Sequence, residues 1–127
     1  MECKVKVSSK INLTEDQDKV KQAVRNIFPI GSIKIDKNYI LLQGDCSLLK
    51  NLREIMEQQR IRATARSVME SKMKKDKIEF ILKKQTALMG VINFIEGNQS
   101  PLGDIIVQVR TNNSEELLDW LAPVELI

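Results

Sequence analysis

The sequence predicts an α+β fold, a mainly antiparallel sheet of about six strands with helices packed on one of its faces. Three observations predict it. Short runs such as Lys4-Val5-Lys6-Val7 alternate polar with apolar residues, as a strand with one buried face does. Longer stretches place apolar residues at i, i+3, i+4 and i+7, the stripe of a helix lying on a core. Hairpin-length polar connections join several of the strand-like runs, which favours antiparallel pairing over βαβ crossovers.

The expected order is β-α-β-β-α-α-β-β-β-α. The first strand starts near Lys4 and runs to about Ile11. Thr14, three residues before Gln17, has the spacing of a capping box, with Glu15, Asp16 and Asp18 in a first turn where the helix dipole favours negative charge. Val20, Ala23, Val24, Ile27 and Phe28 form that helix's stripe, and Pro29 ends it. Ser32 to Asp36 and Tyr39 to Gln43 are two strands around an Asp36-Lys37-Asn38 turn, and Gly44-Asp45 breaks the second. Ser47 is the expected N-cap of a second helix carrying Leu48, Leu49, Leu52, Ile55 and Met56. A third helical stretch carries Ile61, Ala65, Val68, Met69 and Met73; the spacing leaves open whether Gln58-Gln59-Arg60 breaks or continues the helix.

Lys74-Lys75-Asp76-Lys77 is a solvated turn, Ile78 to Lys83 a strand, Gln85 to Met89 a strand connection and Val91 to Ile95 another strand. Gly97 to Gly103 is the richest turn segment, in which Pro101 pre-sets φ and Gly103 can take a positive φ. Ile105 to Val109 is the last strand. Asn113 or Ser114 caps a short acidic helix carrying Leu117, Leu118 and Leu121, which Pro123 ends.

Composition agrees with one domain spanning 1–127. The chain is 43% apolar and 29% charged, a globular rather than a disordered balance. Apolar runs such as Ile40-Leu41-Leu42 are far short of the roughly 20 residues of a membrane span. The opening Met1-Glu2-Cys3-Lys4 has no hydrophobic signal core, so a cytoplasmic location is expected. Cys3 and Cys46 are read as two free thiols, with a disulfide as the alternative.

Much chemistry is missing. The chain has no histidine, which removes the commonest general base and metal ligand and with them Ser-His-Asp and Cys-His catalysis. Two distant cysteines cannot furnish a structural zinc site, and no Gly-rich phosphate loop occurs. Glu15/Asp16 and Glu115/Glu116 stand at helix starts, where capping accounts for them. The expectation is a non-enzyme without metal or cofactor.

The formal charge of +3 is unevenly spread: residues 60–84 carry +6 and residues 85–127 carry −5. Arg62 and Arg66, four apart, share a helix face. With Lys83, Lys84 and Gln85 at a strand end they are the candidate nucleic-acid-binding residues, Arg offering a fork and Lys a point charge to phosphates. The plainer alternative is a solvated helix face with Glu70 and Asp76 as partners. Of the five aromatics, Phe28, Phe80, Phe94 and Trp120 lie in apolar patterns and only Tyr39 is ambiguous. That argues against base stacking and for backbone contact or recognition of a duplex by shape.

The run Lys83-Lys84-Gln85-Thr86-Ala87-Leu88-Met89-Gly90-Val91-Ile92-Asn93-Phe94, then Ser100-Pro101-Leu102-Gly103, resembles a small archaeal family of uncharacterised proteins sometimes labelled RNA-binding. Gln59-Arg60-Ile61-Arg62-Ala63-Thr64-Ala65-Arg66 and the opening strand and helix resemble it too. Lys83, Thr86 and Val91 depart from its expected Asn, Ala and Lys. The resemblance implies a fold similar to the large-subunit ribosomal protein that binds five-S RNA, and RNA as a partner. The competing expectation is a protein-interaction or self-assembly module, a homodimer in which the basic middle of one copy meets the acidic tail of another.

Overall fold

A computed structural model describes residues 2–96 and 103–124. Its six strands are β1 (Cys3–Lys10), β2 (Ile33–Asp36), β3 (Tyr39–Gly44), β4 (Lys77–Leu82), β5 (Phe94–Ile95) and β6 (Ile105–Thr111). They form one sheet in the order β2-β3-β1-β6-β4-β5, and every neighbouring pair is antiparallel. The helices are α1 (Gln17–Ile27), α2 (Lys50–Gln59), α3 (Arg62–Ser71), the single turn α4 (Lys84–Ala87) and α5 (Ser114–Leu121). The expected α+β class, with a six-stranded antiparallel sheet, is what the chain forms.

Alternation decides which strand residues meet the helices. Val7 pairs with Leu42 on one side and Val107 on the other, and Val107 pairs with Phe80. All four are buried in one cluster with Val20, Val24 and Ile27 of α1, Leu52 and Met56 of α2, Ala65 and Met69 of α3, and Leu117, Leu118 and Leu121 of α5. The helices therefore cover one face of the sheet, and the alternate strand residues point the other way.

Several local expectations are corrected. Helix α1 is capped by Asp16, whose carboxylate accepts the Asp18 N–H at 2.9 Å, not by Thr14. The reason lies upstream: Asn12 and Glu15 close a turn of their own through Glu15 N–H to Asn12 O at 3.0 Å and Asn12 N–H to Glu15 Oε1 at 2.9 Å. The helix begins only after that turn. Before α2, Asp45 rather than Ser47 is the cap, and it caps a 3₁₀ turn over Cys46–Leu49. A carboxylate at this position takes both the Ser47 N–H and the Ser47 hydroxyl.

The second and third helices are separate. Arg60 closes α2 in the left-handed region at φ 58, where a side chain is strained and glycine is not. Arg60→Gly is expected to raise stability by about 0.5–1 kcal/mol in urea unfolding.

The expected strand from Val91 shrinks to the two residues of β5. Gln59 is responsible: its side-chain amide donates to Ile92 O at 3.1 Å and accepts the Ile92 N–H at 2.8 Å. That backbone unit is satisfied without a neighbouring strand. Gln85 to Met89 connects β4 to β5 as expected; α4 occupies most of it, and Asn26 of α1 pins its end by donating to Ala87 O and Leu88 O at 3.0 and 2.9 Å. The turn expected over 97–102, with Pro101, lies outside the described residues, whereas Gly103 has the positive φ expected of it, 70.

Cys3 and Cys46 are not free thiols. They form a disulfide with Cα atoms 5.2 Å apart. The sheet register explains it: β1 pairs with β3 such that Val5 faces Gly44; Cys3 is two residues before Val5 on β1, and Cys46 is two residues beyond Gly44, at the start of the 3₁₀ turn. Sequence separation had hidden a pairing that the register makes direct.

Candidate nucleic-acid interface

The five residues singled out in the sequence attach to different elements. On α3, Arg66 Nε donates to Glu70 at 2.9 Å, Nη2 to Asp119 at 2.7 Å and Nη1 to Ala122 O at 3.1 Å. It clasps the end of α5 and is only 23% exposed. Hydrogen bonding to Asp119 raises its pKa further. Arg62, one turn earlier on α3, is half-buried.

Lys84 lies at the far end of β4 and is 7% exposed. Its ammonium donates to Lys10 O at 2.7 Å and to Glu15 Oε1 at 2.8 Å, tying the start of α4 to β1 and to the turn before α1. Burial raises the Glu15 pKa, but the Lys84 hydrogen bond and charge, together with Asn12, outweigh it and the net shift is downward. Lys83 and Gln85 flank Lys84 and are exposed. Arg66 and Lys84 thus spend their charge inside the fold.

A different positive surface emerges from the sheet register. The residues of β1 that point away from the helices are Lys4, Lys6, Ser8 and Lys10. Lys4 pairs with Arg110, and Arg110 with Lys77, so three basic side chains stand in a row across β1, β6 and β4. Lys6 is flanked by Gln43 and Gln108, Ser8 by Leu41 and Ile106, and Lys10 by Tyr39. Lys34 of β2 faces Leu41 on the same side. Six basic side chains therefore share this face with two carboxylates, Glu79 and Asp36.

Among the described residues, Lys77 is the only one of the six held in an ion pair, with Glu79 at 3.3 Å. Burial raises the Glu79 pKa, but Gln108 and Lys77, with Lys72 nearby, bring it below the usual value. Glu79 therefore stays ionised and offsets Lys77, leaving Lys4, Lys6, Lys10, Lys34 and Arg110 as exposed cations. A depression of about 340 Å³ lies between Lys4, Lys6, Gln43, Lys77, Gln108 and Arg110. Lys4 and Arg110 also border a larger one of about 720 Å³ beside the disulfide.

The sequence did hold a signal for this face. Lys4 and Lys6 occupy alternate positions of a strand whose other positions are apolar, as do Lys34 and Arg110 in theirs. Counting charge by segment concealed what counting by strand parity reveals. Among the described residues, no group of three or more metal-ligating side chains converges, and no helix is long and apolar enough to cross a membrane.

The model of a family described as RNA binding matches residues 4–112, a span that includes all six basic residues of this face. A UPF0201 protein of Methanothermobacter thermautotrophicus is 40% identical over 120 residues, covering 94% of this chain and 91% of its own. One of Metallosphaera sedula is 33% identical, covering 94% and 87%. A crystal structure of an uncharacterized UPF0201 protein superposes with a TM-score of 0.84 at 35% identity, covering 95% of this chain and 94% of that one. For the 2.2 Å crystal structure of the UPF0201 protein from Methanococcus jannaschii the values are 0.81 and 29%, covering 97% and 95%.

Proposed function

Since the chain belongs to the archaeal UPF0201 family and to the family described as RNA binding, we propose that it binds RNA through the helix-free face of its sheet. One observation carries this reading: the register gathers Lys4, Lys6, Lys10, Lys34 and Arg110 on one exposed surface with no carboxylate partner among the described residues. Clustered, unneutralised cations on a rigid support attract a polyanion, and releasing its counterions drives the association. The family description likewise supports binding rather than catalysis.

In this reading Arg66 and Lys84 serve the scaffold, fastening α3 to α5 and α4 to β1. Arg62, Lys83 and Gln85 lie outside the sheet face and contribute at most through the general field of the protein.

The test is affinity for a mixed-sequence RNA measured by fluorescence anisotropy across a salt series. Log affinity is expected to fall linearly with log salt. Lys6→Gln or Arg110→Gln lowers affinity about five-fold or more and reduces the slope by about 0.7–0.9, the share of one phosphate contact. Unchanged affinity and slope in both variants would remove the sheet face from the proposal.

A further inference from the structure

The sheet has two edges, β2 and β5. Strand β5 is only two residues long, whereas β2 runs for four, Ile33–Asp36, and all but Ile33 are exposed. No strand lies beyond β2 among the described residues. Its outer backbone N–H and C=O groups are therefore a template for another strand.

Which groups face outward follows from the hairpin. Lys37-Asn38 is a two-residue turn, and Asp36 pairs with Tyr39 across it. The pair that closes such a turn exchanges backbone hydrogen bonds, and bonded pairs then alternate with non-bonded ones. Asp36 and Lys34 thus direct their amides to β3, and Ile33 and Ile35 direct theirs to solvent. The side chains alternate as well. Ile33 and Ile35 lie on the helix-bearing side, opposite Leu42 and Ile40, and Lys34 and Asp36 lie on the open face. Ile35 is 42% exposed at the margin of the core.

A strand added here has to satisfy both patterns. If it is β2 of a second copy, running antiparallel, each outward residue meets an outward residue. A two-fold axis through Lys34 sets lysine against lysine, and one through Asp36 sets aspartate against aspartate. An axis through Ile33 leaves Lys34 opposite Ser32 and Asp36 opposite Ile30, so neither charge is answered. With the axis through Ile35, the two Ile35 residues exchange backbone hydrogen bonds and lie side by side. Lys34 of each copy then stands opposite Asp36 of the other. Charge on an edge strand ordinarily keeps other strands away; in this one register it becomes two complementary cross-strand pairs. Among the described residues, neither Lys34 nor Asp36 has an ion-pair partner within its own copy.

We infer that β2 pairs with β2 of a second copy about a two-fold axis at Ile35, joining two six-stranded sheets into one continuous sheet. That axis is perpendicular to the sheet, so both helix-free faces lie on the same side. Lys4, Lys6, Lys10 and Arg110 of the two copies then share one surface, and Lys34 and Asp36 neutralise each other at the seam. The pairing is independent of the RNA-binding reading, because it uses the edge of the sheet and not its face.

The experiment is sedimentation velocity on nuclease-treated protein from about 1 to 500 μM, at about 50 mM salt so that charge is weakly screened. A concentration-dependent dimer is expected. Lys34→Glu and Asp36→Lys each weaken it about ten-fold or more, since each places like charges across the seam twice. Lys34→Glu combined with Asp36→Lys restores opposite charges and returns the affinity to within about three-fold of the original. An equimolar mixture of the two single variants also dimerises, because an acidic edge then meets a basic one, and circular dichroism verifies that each variant folds. A monomer throughout the range overturns the inference. So does a dimer that the single reversals leave unchanged, or one that neither the combined reversal nor the mixture restores.

Discussion

Reduction of the Cys3–Cys46 disulfide is expected to lower the unfolding free energy by about 3–4 kcal/mol. The bond spans 43 residues, and the chain-entropy account of closing a loop of that length gives about 4 kcal/mol, at the upper end of the usual range. In a domain of this size the melting temperature should fall by roughly 10 °C. Urea unfolding with and without reductant measures the effect. Cys3→Ser combined with Cys46→Ser should reproduce the reduced curve and be indifferent to reductant. Coincident curves for the oxidised protein and this double variant would show that the cross-link contributes nothing. The bond joins the start of the central strand β1 to the turn that launches α2, so its loss loosens the end of the sheet where Lys4 and Arg110 lie.

The second large effect belongs to Lys84. Lys84→Met keeps the volume of the side chain but removes the donor that holds Lys10 O and Glu15. A part-buried carboxylate then loses its counterion, and the expected cost is about 2–3 kcal/mol, below the full penalty for a deeply buried pair because Glu15 is 28% exposed. The pH dependence has a definite sign. The Glu15 pKa lies below 4.5 in the folded protein, so its contribution is complete above that value and is lost as pH falls through the folded pKa. Lys84→Met and Glu15→Gln should each flatten this acid-side decline. A double-mutant cycle should show the two coupled; strictly additive effects would mean that the pair does not act as a unit.

Lys84 also illustrates what the sequence makes legible and what it conceals. Its neighbours place it in a basic run, and a run reads as surface. Its actual partners, Lys10 and Glu15, are about seventy residues away, and only the sheet brings them close. Arg66 is half legible: Glu70 follows at helical spacing and does pair with it, but Asp119 and Ala122 arrive from the other end of the chain. By contrast, the strands and helices themselves follow from local periodicity, and the stripe of Val20, Ala23, Val24 and Ile27 is buried as its spacing requires. Errors cluster where a side chain replaces a backbone partner, as Gln59 does at Ile92 and Asp16 at the start of α1. Periodicity carries no information about such substitutions. The disulfide was hidden for the same reason as Lys84, since register is a property of paired strands and not of either strand alone.

Strand β1 lies between β3 and β6, with its middle, Val5 to Ser8, paired on both sides. The amides of that middle should therefore be among the last to exchange with solvent, opening only when the whole domain does. Lys6 is mounted on that middle and Lys4 and Lys10 on either side of it, so the backbone beneath the proposed binding surface is held by the interior of the sheet. Little conformational freedom is left there to surrender on association, and the surface would meet its partner with its charges already spaced.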